Sequence, residues 1–450
     1  MTYLADPERI SAGAPKLAFP PAAVPRAQIR DRGQLEGPRP ALISRMRFQL
    51  PGALFAAIVP PLLYAWNTSD SLPDLFNTVA ATFCAVALGY WVLRHITNFP
   101  TSHEVAAVPP VFTGAFGLVF AGFYLARLEF SAPSLLSGYG LSMVWLVVVM
   151  TIARRGKRRQ FALIPIGEAL SIHGLEGASW QVIDASEALP HPCSGVVVDL
   201  RADMSAEWQQ FLTACVLAGV PVFHFKQVRE VLTGQLEIEH LSENMLGSHN
   251  PHHAYLAFKR SIDTLTALVA LVLLAPLLLC VAALIRLDSK GPALFTQARI
   301  KQGGSTFTIY KFRTMLVDTA RPGSRNDAIT REGDPRITRL GAFLRKTRID
   351  ELPQILNILK GEMSWIGPRP EAVPLAQWYQ QQLPFYQYRH IVPPGISGWA
   401  QVNQGHVTDP KHVLGKLHYD FYYIKNFSIW LDMLIVLKTL RTMLTGFGAR

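Results

Sequence analysis

The sequence predicts a membrane protein in three parts: a four-helix transmembrane bundle, a small parallel α/β module, and a C-terminal, mainly α domain that begins with a fifth apolar helix. Three observations lead there. Four uncharged apolar stretches follow one another in the first third of the chain, each close to the ~20 residues a helix needs to cross a bilayer. Short apolar runs then alternate with helical patterns, as strands and helices do in a parallel sheet. Finally, basic residues, Pro and Gly turns and one adjacent carboxylate pair collect behind a fifth apolar run.

Composition agrees with this division. Of 450 residues, 50% are hydrophobic and only 17% charged, which excludes a disordered chain and is too apolar for an ordinary soluble enzyme. The mean hydropathy of +0.20 points the same way. A net charge of +11, from 43 basic and 32 acidic side chains, calls for an anionic partner: a nucleic acid, a membrane surface or a phosphorylated substrate. Cys84, Cys193, Cys215 and Cys280 lie far apart with no CxxC pair, which argues against structural zinc and a disulfide framework.

The expected spans are Phe48–Trp66, Leu75–Leu93, Val105–Ala126 and Ser134–Ala153, preceded by a polar arm over residues 1–45. Arg26, Arg30, Arg32, Arg39, Arg45 and Arg47 in the arm, Arg94 in the second connection, and Arg154, Arg155, Lys157, Arg158 and Arg159 after the fourth span are basic. The first connection holds only Asp70 and Asp74, and the third pairs Arg127 with Glu129. Positive residues stay inside, so both ends of the bundle (residues 46–155) are expected in the cytoplasm.

Residues 160–241 are expected to form the α/β module. Its strands are expected at Phe161–Ile166, Val182–Asp184, Gly195–Asp199 and Pro221–His224, with helices at Ala206–Ala218 and Lys226–Leu232. The first strand runs into Pro165-Ile166-Gly167-Glu168, which lacks the Gly-rich fingerprint that cradles a pyrophosphate, so a cofactor-free regulatory or dimer-forming module is expected. Residues 242–254, with His249, His252 and His253, read as a linker, and no acidic or thiol partner is spaced to make those histidines a metal site.

The fifth apolar run, Ile262–Ile285, is long enough to span. Pro276 interrupts it, Asp263 lies near its start, and both flanks are basic, with Lys259 and Arg260 before it and Arg286, Lys290 and Arg299 after it. The pattern alone leaves open a kinked crossing and a helix that bends at Pro276 and returns. Beyond it come Tyr310-Lys311-Phe312-Arg313-Thr314-Met315 after a strand-like Phe307-Thr308-Ile309, then Asp334-Pro335-Arg336, Leu344-Arg345-Lys346-Thr347-Arg348, Asp350-Glu351-Leu352-Pro353-Gln354 with the helix Ile355–Leu359, and Gly367-Pro368-Arg369-Pro370. Asp350 fits a helix N-cap with Pro353 in the first turn. A carboxylate in that setting can attack phosphorus or hold Mg²⁺, and the surrounding Arg and Lys can neutralise phosphate oxygens. The basic residues carry no nucleic-acid-binding motif, so a phosphate-bearing lipid or nucleotide sugar is the better anionic partner, and no nucleic acid is expected. Trp430–Leu444 reads either as an interfacial helix with Lys438 and Arg441 snorkelling or as a core helix, and Asp420 just before it as an acid behind the site or an ordinary surface acid.

Lys259-Arg260-Ser261-Ile262-Asp263, the Pro276-broken helix, the Tyr310–Met315 motif, Asp350-Glu351-Leu352-Pro353-Gln354, Gly367-Pro368-Arg369-Pro370 and Pro394-Gly395-Ile396-Ser397-Gly398-Trp399-Ala400-Gln401-Val402-Asn403 occur in the order found in bacterial sugar transferases. Residues 255–450 thus resemble the monotopic phosphoglycosyl transferases, and the whole chain resembles their long form with membrane helices and a degenerate Rossmann-like module. The resemblance implies that residues 255–450 are a catalytic domain with a re-entrant helix over residues 258–286, shaped by Pro276. It implies transfer of a hexose 1-phosphate from a UDP-sugar to undecaprenyl phosphate, releasing UMP at the cytoplasmic face of the inner membrane. This is the initiating step of exopolysaccharide or O-antigen synthesis. Asp350 is then the nucleophile, Glu351 positions Mg²⁺, and Lys311, Arg313, Arg345 and Arg369 contact the diphosphate. Many members have Ser before the proline, where this chain has Ala275. No residue reads a particular sugar, and the expectation leans to glucose or galactose. The bilayer is a partner, and a homodimer through the α/β module or the membrane helices is compatible with the pattern. The competing classes are a non-catalytic membrane scaffold for polysaccharide-assembly enzymes and a five-span transporter.

Overall fold

The computed structural model describes residues 46–68, 72–96, 104–155, 159–184, 193–238, 253–316, 334, 336–404 and 410–445. The N-terminal arm and most of the expected linker, including His249 and His252, lie outside the described residues. The chain forms two compact units, the α/β module ending at Phe225 and a larger unit holding the N-terminal helices and the chain from Lys226 on.

Helices α1 (Met46–Thr68), α2 (Leu72–Ile96), α3 (Glu104–Leu125) and α4 (Ala132–Arg155) coincide with the four apolar stretches. α1 packs on α4 and α2, and α3 packs on α2 and α4. The inward faces combine large apolar residues such as Leu93, Phe112 and Leu146 with small and hydroxyl ones, Ala53, Ala57, Thr78, Ala81, Thr82, Ala85 and Ser134, while Phe55, Phe76, Leu118 and Leu136 point outward. Small inward residues let helix backbones approach closely, as in helices solvated by lipid. The Thr78 and Thr82 hydroxyls donate to the Asp74 and Thr78 carbonyls (2.6 and 2.7 Å), so neither is left unsatisfied. α2, α3 and α4 are each long and apolar enough to cross a membrane, and α1 adds the apolar segment Phe48–Val59. The protein is a membrane protein.

The module is a four-stranded parallel sheet of β1 (Arg159–Leu163), β2 (Ala178–Val182), β3 (Gly195–Val198) and β4 (Val222–His224), in the order β2-β1-β3-β4, with α5 (Ala206–Leu217) following β3. β1 ends before Ile166, because Pro165 has no N–H for the ladder. The second strand also lies earlier than its expected Val182–Asp184, since Trp180 stacks on Phe161 (5.6 Å) and sets the register. The connection between β1 and β2 carries only a 3₁₀ turn, Ala169–Ile172. At the end of β1, Gly167 takes φ +57°, and the Asp199 carboxylate accepts from the Glu168 and Arg201 N–H groups (3.1 and 3.0 Å). A Cβ on Gly167 would lie 2.4 Å from Asp199 Oδ2. The chain's own carboxylate thus holds the backbone N–H that a nucleotide phosphate takes in dinucleotide-binding folds.

The chain leaves this module earlier than residue 241. α6 (Phe225–Thr233) from Lys226 on and the segment after it belong to the larger unit, where Trp399 Nε1 donates to the Gly234 carbonyl (2.9 Å) and the Leu236 N–H donates to the His418 carbonyl (3.0 Å).

α7 (His253–Asp288) is the fifth apolar helix and runs through Pro276 without ending there. Straight, its 36 residues would measure about 54 Å, against a hydrocarbon core of about 30 Å. Both of its ends touch the same domain. Near its start Lys259 pairs with Asp432 (2.5 Å), and Arg260 donates to the Ile358 and Leu359 carbonyls. At its end the Ile285 and Ser289 carbonyls accept from Arg313 Nη2 (3.3 and 2.6 Å). Between them Ala267, Leu271 and Leu274 pack with Phe307, Ile309 and Ile355, and Leu278, Val281 and Ile285 pack with Phe312 and Leu344. The remaining face exposes Leu265, Val272, Leu273, Leu279 and Leu287.

The rest of the domain lies on this helix. β5 (Leu294–Ile300) and β6 (Thr306–Phe312) form an antiparallel hairpin, followed by α8 (Arg339–Lys346), a 3₁₀ turn over Ile349–Gln354, and α9 (Ile355–Lys360). β7 (Ser364–Ile366) pairs in parallel with β8 (Gly395–Ser397), with α10 (Val373–Gln382) between them. α11 (Trp399–Gln404), α12 (Pro410–Lys425) and α13 (Ile429–Thr445) complete it. The β7–β8 contact is so close that a Cβ on Gly395 would lie 2.1 Å from the Gly367 nitrogen, which reserves the position for glycine. α13 is a core helix, with Leu431, Leu434 and Ile435 buried and Trp430 stacked on His95 of α2 (4.3 Å). Lys438 does not snorkel: it donates to Asn403 Oδ1 (2.6 Å) and lies over the Trp399 ring (4.8 Å).

Asn357, fully buried on α9, joins three elements. Its Oδ1 accepts from the Tyr310 N–H (3.1 Å), and its Nδ2 donates to the Thr308 carbonyl and Glu362 Oε2 (both 2.7 Å). Asn357→Ala leaves buried backbone groups of β6 unpaired and is expected to cost about 2–4 kcal/mol. A lower thermal midpoint of the detergent-solubilised protein, followed by tryptophan fluorescence, is the readout, and an unchanged midpoint would contradict the clamp.

Candidate active site

β6 alternates its faces, so Lys311 follows Phe307 and Ile309 on the buried side and points at the 3₁₀ turn that carries Asp350 and Glu351. The loop after β7 brings Arg369 to the same place. Glu351 Oε1 accepts from Lys311 Nζ (2.9 Å) and Arg369 Nη2 (2.6 Å), and its Oε2 lies 3.9 Å from Arg348 Nη1. Burial alone would raise the Glu351 pKa, but Arg369, Lys311 and Arg348 together hold it well below the carboxylate range. Lys311 is pushed down by burial against the pull of Glu351, whereas Arg369 is pushed up, chiefly by Glu351.

Asp350 differs from its neighbour. It is not a helix N-cap, because the turn already begins at Ile349 behind Arg348. With no N–H on Pro353, the turn has one donor fewer to cap. The Asp350 side chain is buried and its Oδ1 has no hydrogen-bond partner; Gln354 Nε2, four residues on, is in the same condition. Burial and the Glu351 charge raise the Asp350 pKa, with Lys311, Arg369 and Arg345 opposing. Arg345 is half-buried and directs its Nε to Thr314 Oγ1 (2.8 Å).

Of the residues expected from sequence, the structure gathers Lys311, Arg345, Asp350, Glu351 and Arg369. Arg313 is used elsewhere: its guanidinium donates to the Lys290 carbonyl (3.1 Å) and to the Ser289 carbonyl and hydroxyl (2.6 and 2.9 Å), closing the C-terminus of α7. Asp420 is neither a surface acid nor at the site's mouth. It is buried and pairs with Arg389 (2.9 Å), which donates to the Arg369 carbonyl (2.9 Å). Lys416 pairs with Glu371 (2.5 Å), and Arg299 donates to the Pro370 carbonyl (2.7 Å), so the Arg369 loop is gripped from both sides. Sequence reading missed Arg299, Glu371, Arg389 and Lys416, because the contacts that tie them to the Arg369 loop include ones 20 and 71 residues apart in the chain, which leave no local signal.

The family model described as bacterial sugar transferase matches residues 254–446. Over 402 residues, 89% of this chain and 94% of the relative, the sequence is 42% identical to the UDP-N-acetylgalactosamine-undecaprenyl-phosphate N-acetylgalactosaminephosphotransferase of Aeromonas hydrophila. This chain belongs to the bacterial sugar transferase family. It is an enzyme, a phosphoglycosyl transferase. Two further relatives match its last part. The exopolysaccharide production protein PSS of Rhizobium leguminosarum bv. phaseoli is 43% identical over 195 residues (42% of this chain, 96% of the relative). The UDP-glucose:undecaprenyl-phosphate glucose-1-phosphate transferase of Escherichia coli is 40% identical over 186 (40% and 39%).

In this sugar transferase the two neighbouring carboxylates affect stability with opposite sign. Glu351 has a depressed pKa, so its stabilisation is complete above the unfolded value of about 4.3 and fades as pH falls through the folded one. Asp350 has a raised pKa, so the fold disfavours its ionised form at neutral pH. At pH 7, Glu351→Gln is expected to lower stability by about 3–5 kcal/mol, because Lys311 and Arg369 then lie buried without their counter-ion. Asp350→Asn is expected to raise the thermal midpoint under the same conditions. A fall with both variants would refute the opposition.

Proposed function

We propose that this transferase moves a sugar 1-phosphate from a UDP-sugar to undecaprenyl phosphate, releasing UMP, at the cytoplasmic face of the inner membrane. One observation carries the reading: Asp350 Oδ1 is buried and unpartnered beside a carboxylate whose own charge is balanced by Lys311 and Arg369. Asp350 attacks the β-phosphorus, the bond to the bridging oxygen breaks, and its electron pair leaves on UMP. The sugar phosphate stays on Asp350 as an acyl phosphate. An oxygen of the lipid phosphate then attacks the same phosphorus, and the carboxylate departs. Lys311, Arg345 and Arg369 balance charge on the diphosphate oxygens, and a raised pKa makes Asp350 the more basic nucleophile once ionised. Arg313 closes α7 rather than touching substrate in this scheme.

Among the described residues no group of three or more His, Cys, Asp or Glu gathers as a metal cage. Mg²⁺ does not require one, since it commonly uses one or two carboxylates plus phosphate oxygens and water. The unpartnered Asp350 Oδ1 and Glu351 Oε2 fit such a donor set. Bound there, the ion would add positive charge at the diphosphate.

That both ends of α7 touch one domain supports a helix that enters the bilayer, bends at Pro276 and returns, with the domain on a single face. The basic flanks of the bundle favour the cytoplasmic side. For the sugar, the relative that matches over 89% of this chain uses UDP-N-acetylgalactosamine by its name. This moves the preferred donor from glucose or galactose to a UDP-N-acetylhexosamine.

The purified protein, given undecaprenyl phosphate, Mg²⁺ and a panel of UDP-sugars, is expected to release UMP, most rapidly from a UDP-N-acetylhexosamine. Chelation with EDTA and Asp350→Asn should each abolish release. Normal turnover by Asp350→Asn would remove the nucleophile assignment, and no release from any UDP-sugar would sink the reaction. For topology, a cysteine at Lys290, in a background without the four native ones, should react with an impermeant maleimide only from the cytoplasmic side.

A further inference from the structure

α8 ends at Lys346, Thr347 caps it, and Arg348 follows with φ 60° and ψ 15°. This left-handed position after a helix is the usual place for glycine or asparagine, and α9 ends on Gly361 at φ 79°. The hydrogen bonds that Arg348 makes here are main-chain ones any residue supplies: its N–H donates to the Arg345 carbonyl, and its carbonyl accepts from the Glu351 N–H (both 3.2 Å). A strained backbone kept for a long cationic side chain, two residues before the nucleophile, implies that the side chain is what the position needs.

That side chain differs from the other cations. Lys311 and Arg369 are 15% and 19% exposed and hold Glu351 Oε1 at hydrogen-bond distance; Arg348 is 43% exposed and reaches Oε2 only at 3.9 Å. Ile349, the next residue, packs with Ile285, Phe312 and Leu344 against the C-terminal part of α7, and Phe343, next to Leu344, and Leu287, two residues after Ile285, are exposed. Arg348 therefore stands on the rim between the apolar face and Asp350, while the inner cations face the buried side.

We propose that Arg348 binds the phosphate of the polyprenyl acceptor, holding it for attack on the sugar-phosphate carried by Asp350. A guanidinium offers paired donors that match phosphate oxygens, and an exposed one pays little to leave a 3.9 Å contact. The assignment rests on the two-step reaction above and adds the division of labour between its substrates.

Arg348→Gly removes the charge and suits the left-handed backbone, so folding is preserved; Arg348→Lys keeps the charge. With the full-length protein, Arg348→Gly is expected to raise the KM for undecaprenyl phosphate about tenfold or more. The KM for UDP-sugar should change several-fold less than that for the lipid, a UMP burst without lipid should persist, and Arg348→Lys should recover most of the loss. An equal or larger rise in the KM for UDP-sugar, a lost burst, or an unchanged KM for both substrates would overturn the assignment. Absence of any UMP release by the unaltered protein would overturn the reaction itself, and this role with it.

Discussion

The contact of Glu351 with Lys311 and Arg369 brings together three segments far apart in sequence: the end of β6, the 3₁₀ turn and the loop after β7. Burying three charges is costly unless each finds close partners, and removing one leaves the others stranded. Much of the domain can be read as meeting that constraint. Asn357 fixes β6 to α9, so Lys311 arrives at the right height. Arg389, backed by Asp420, and Arg299 hold the successive carbonyls of Arg369 and Pro370. With Glu351 Oε1 so engaged, Asp350 Oδ1 beside it is left buried without a hydrogen-bond partner.

The membrane segments were legible because lipid imposes long uncharged stretches, and α1 to α4 and α7 fall on the expected runs. The cluster around Asp350 was legible because adjacent motifs concentrate charge: Lys311, Arg345, Glu351 and Arg369 do face one site. Arg313 misled for the same reason. It lies two residues from Lys311 but at the end of the strand, within reach of the carbonyls that α7 leaves free. The Arg389–Asp420 pair could not be read, since neither residue has a local pattern and the ion pair forms only after the helices between them fold back. In the α/β module the first strand's end was blurred by an apolar Ile166 beyond Pro165, and the second was displaced by the Phe161–Trp180 stack.

The N-terminal bundle and the transferase domain are joined directly. Trp430 at the start of α13 meets His95 and Trp91 of α2 at 4.3 and 4.7 Å, and Leu431 and Ile435 beside it belong to one continuous apolar core that also includes Val92, Leu93 and Ile96. The bundle is therefore packed against the transferase domain through the helix whose other residues, Lys438 and Thr439, touch Asn403 and Ser397.

The double anchoring of α7 has a consequence for the kind of bilayer the protein tolerates. A crossing helix must match the thickness of the hydrocarbon layer, and each ångström of mismatch costs a fraction of a kcal/mol through tilt or lipid deformation. A helix that turns back within one leaflet has no second boundary to reach. On that reading, a thicker or thinner membrane changes the tilt of α2, α3 and α4 but leaves α7 at the same depth below its own headgroups. The strain then falls on the aromatic joint at Trp430, while the distance from Asp350 to the plane of lipid phosphates stays constant.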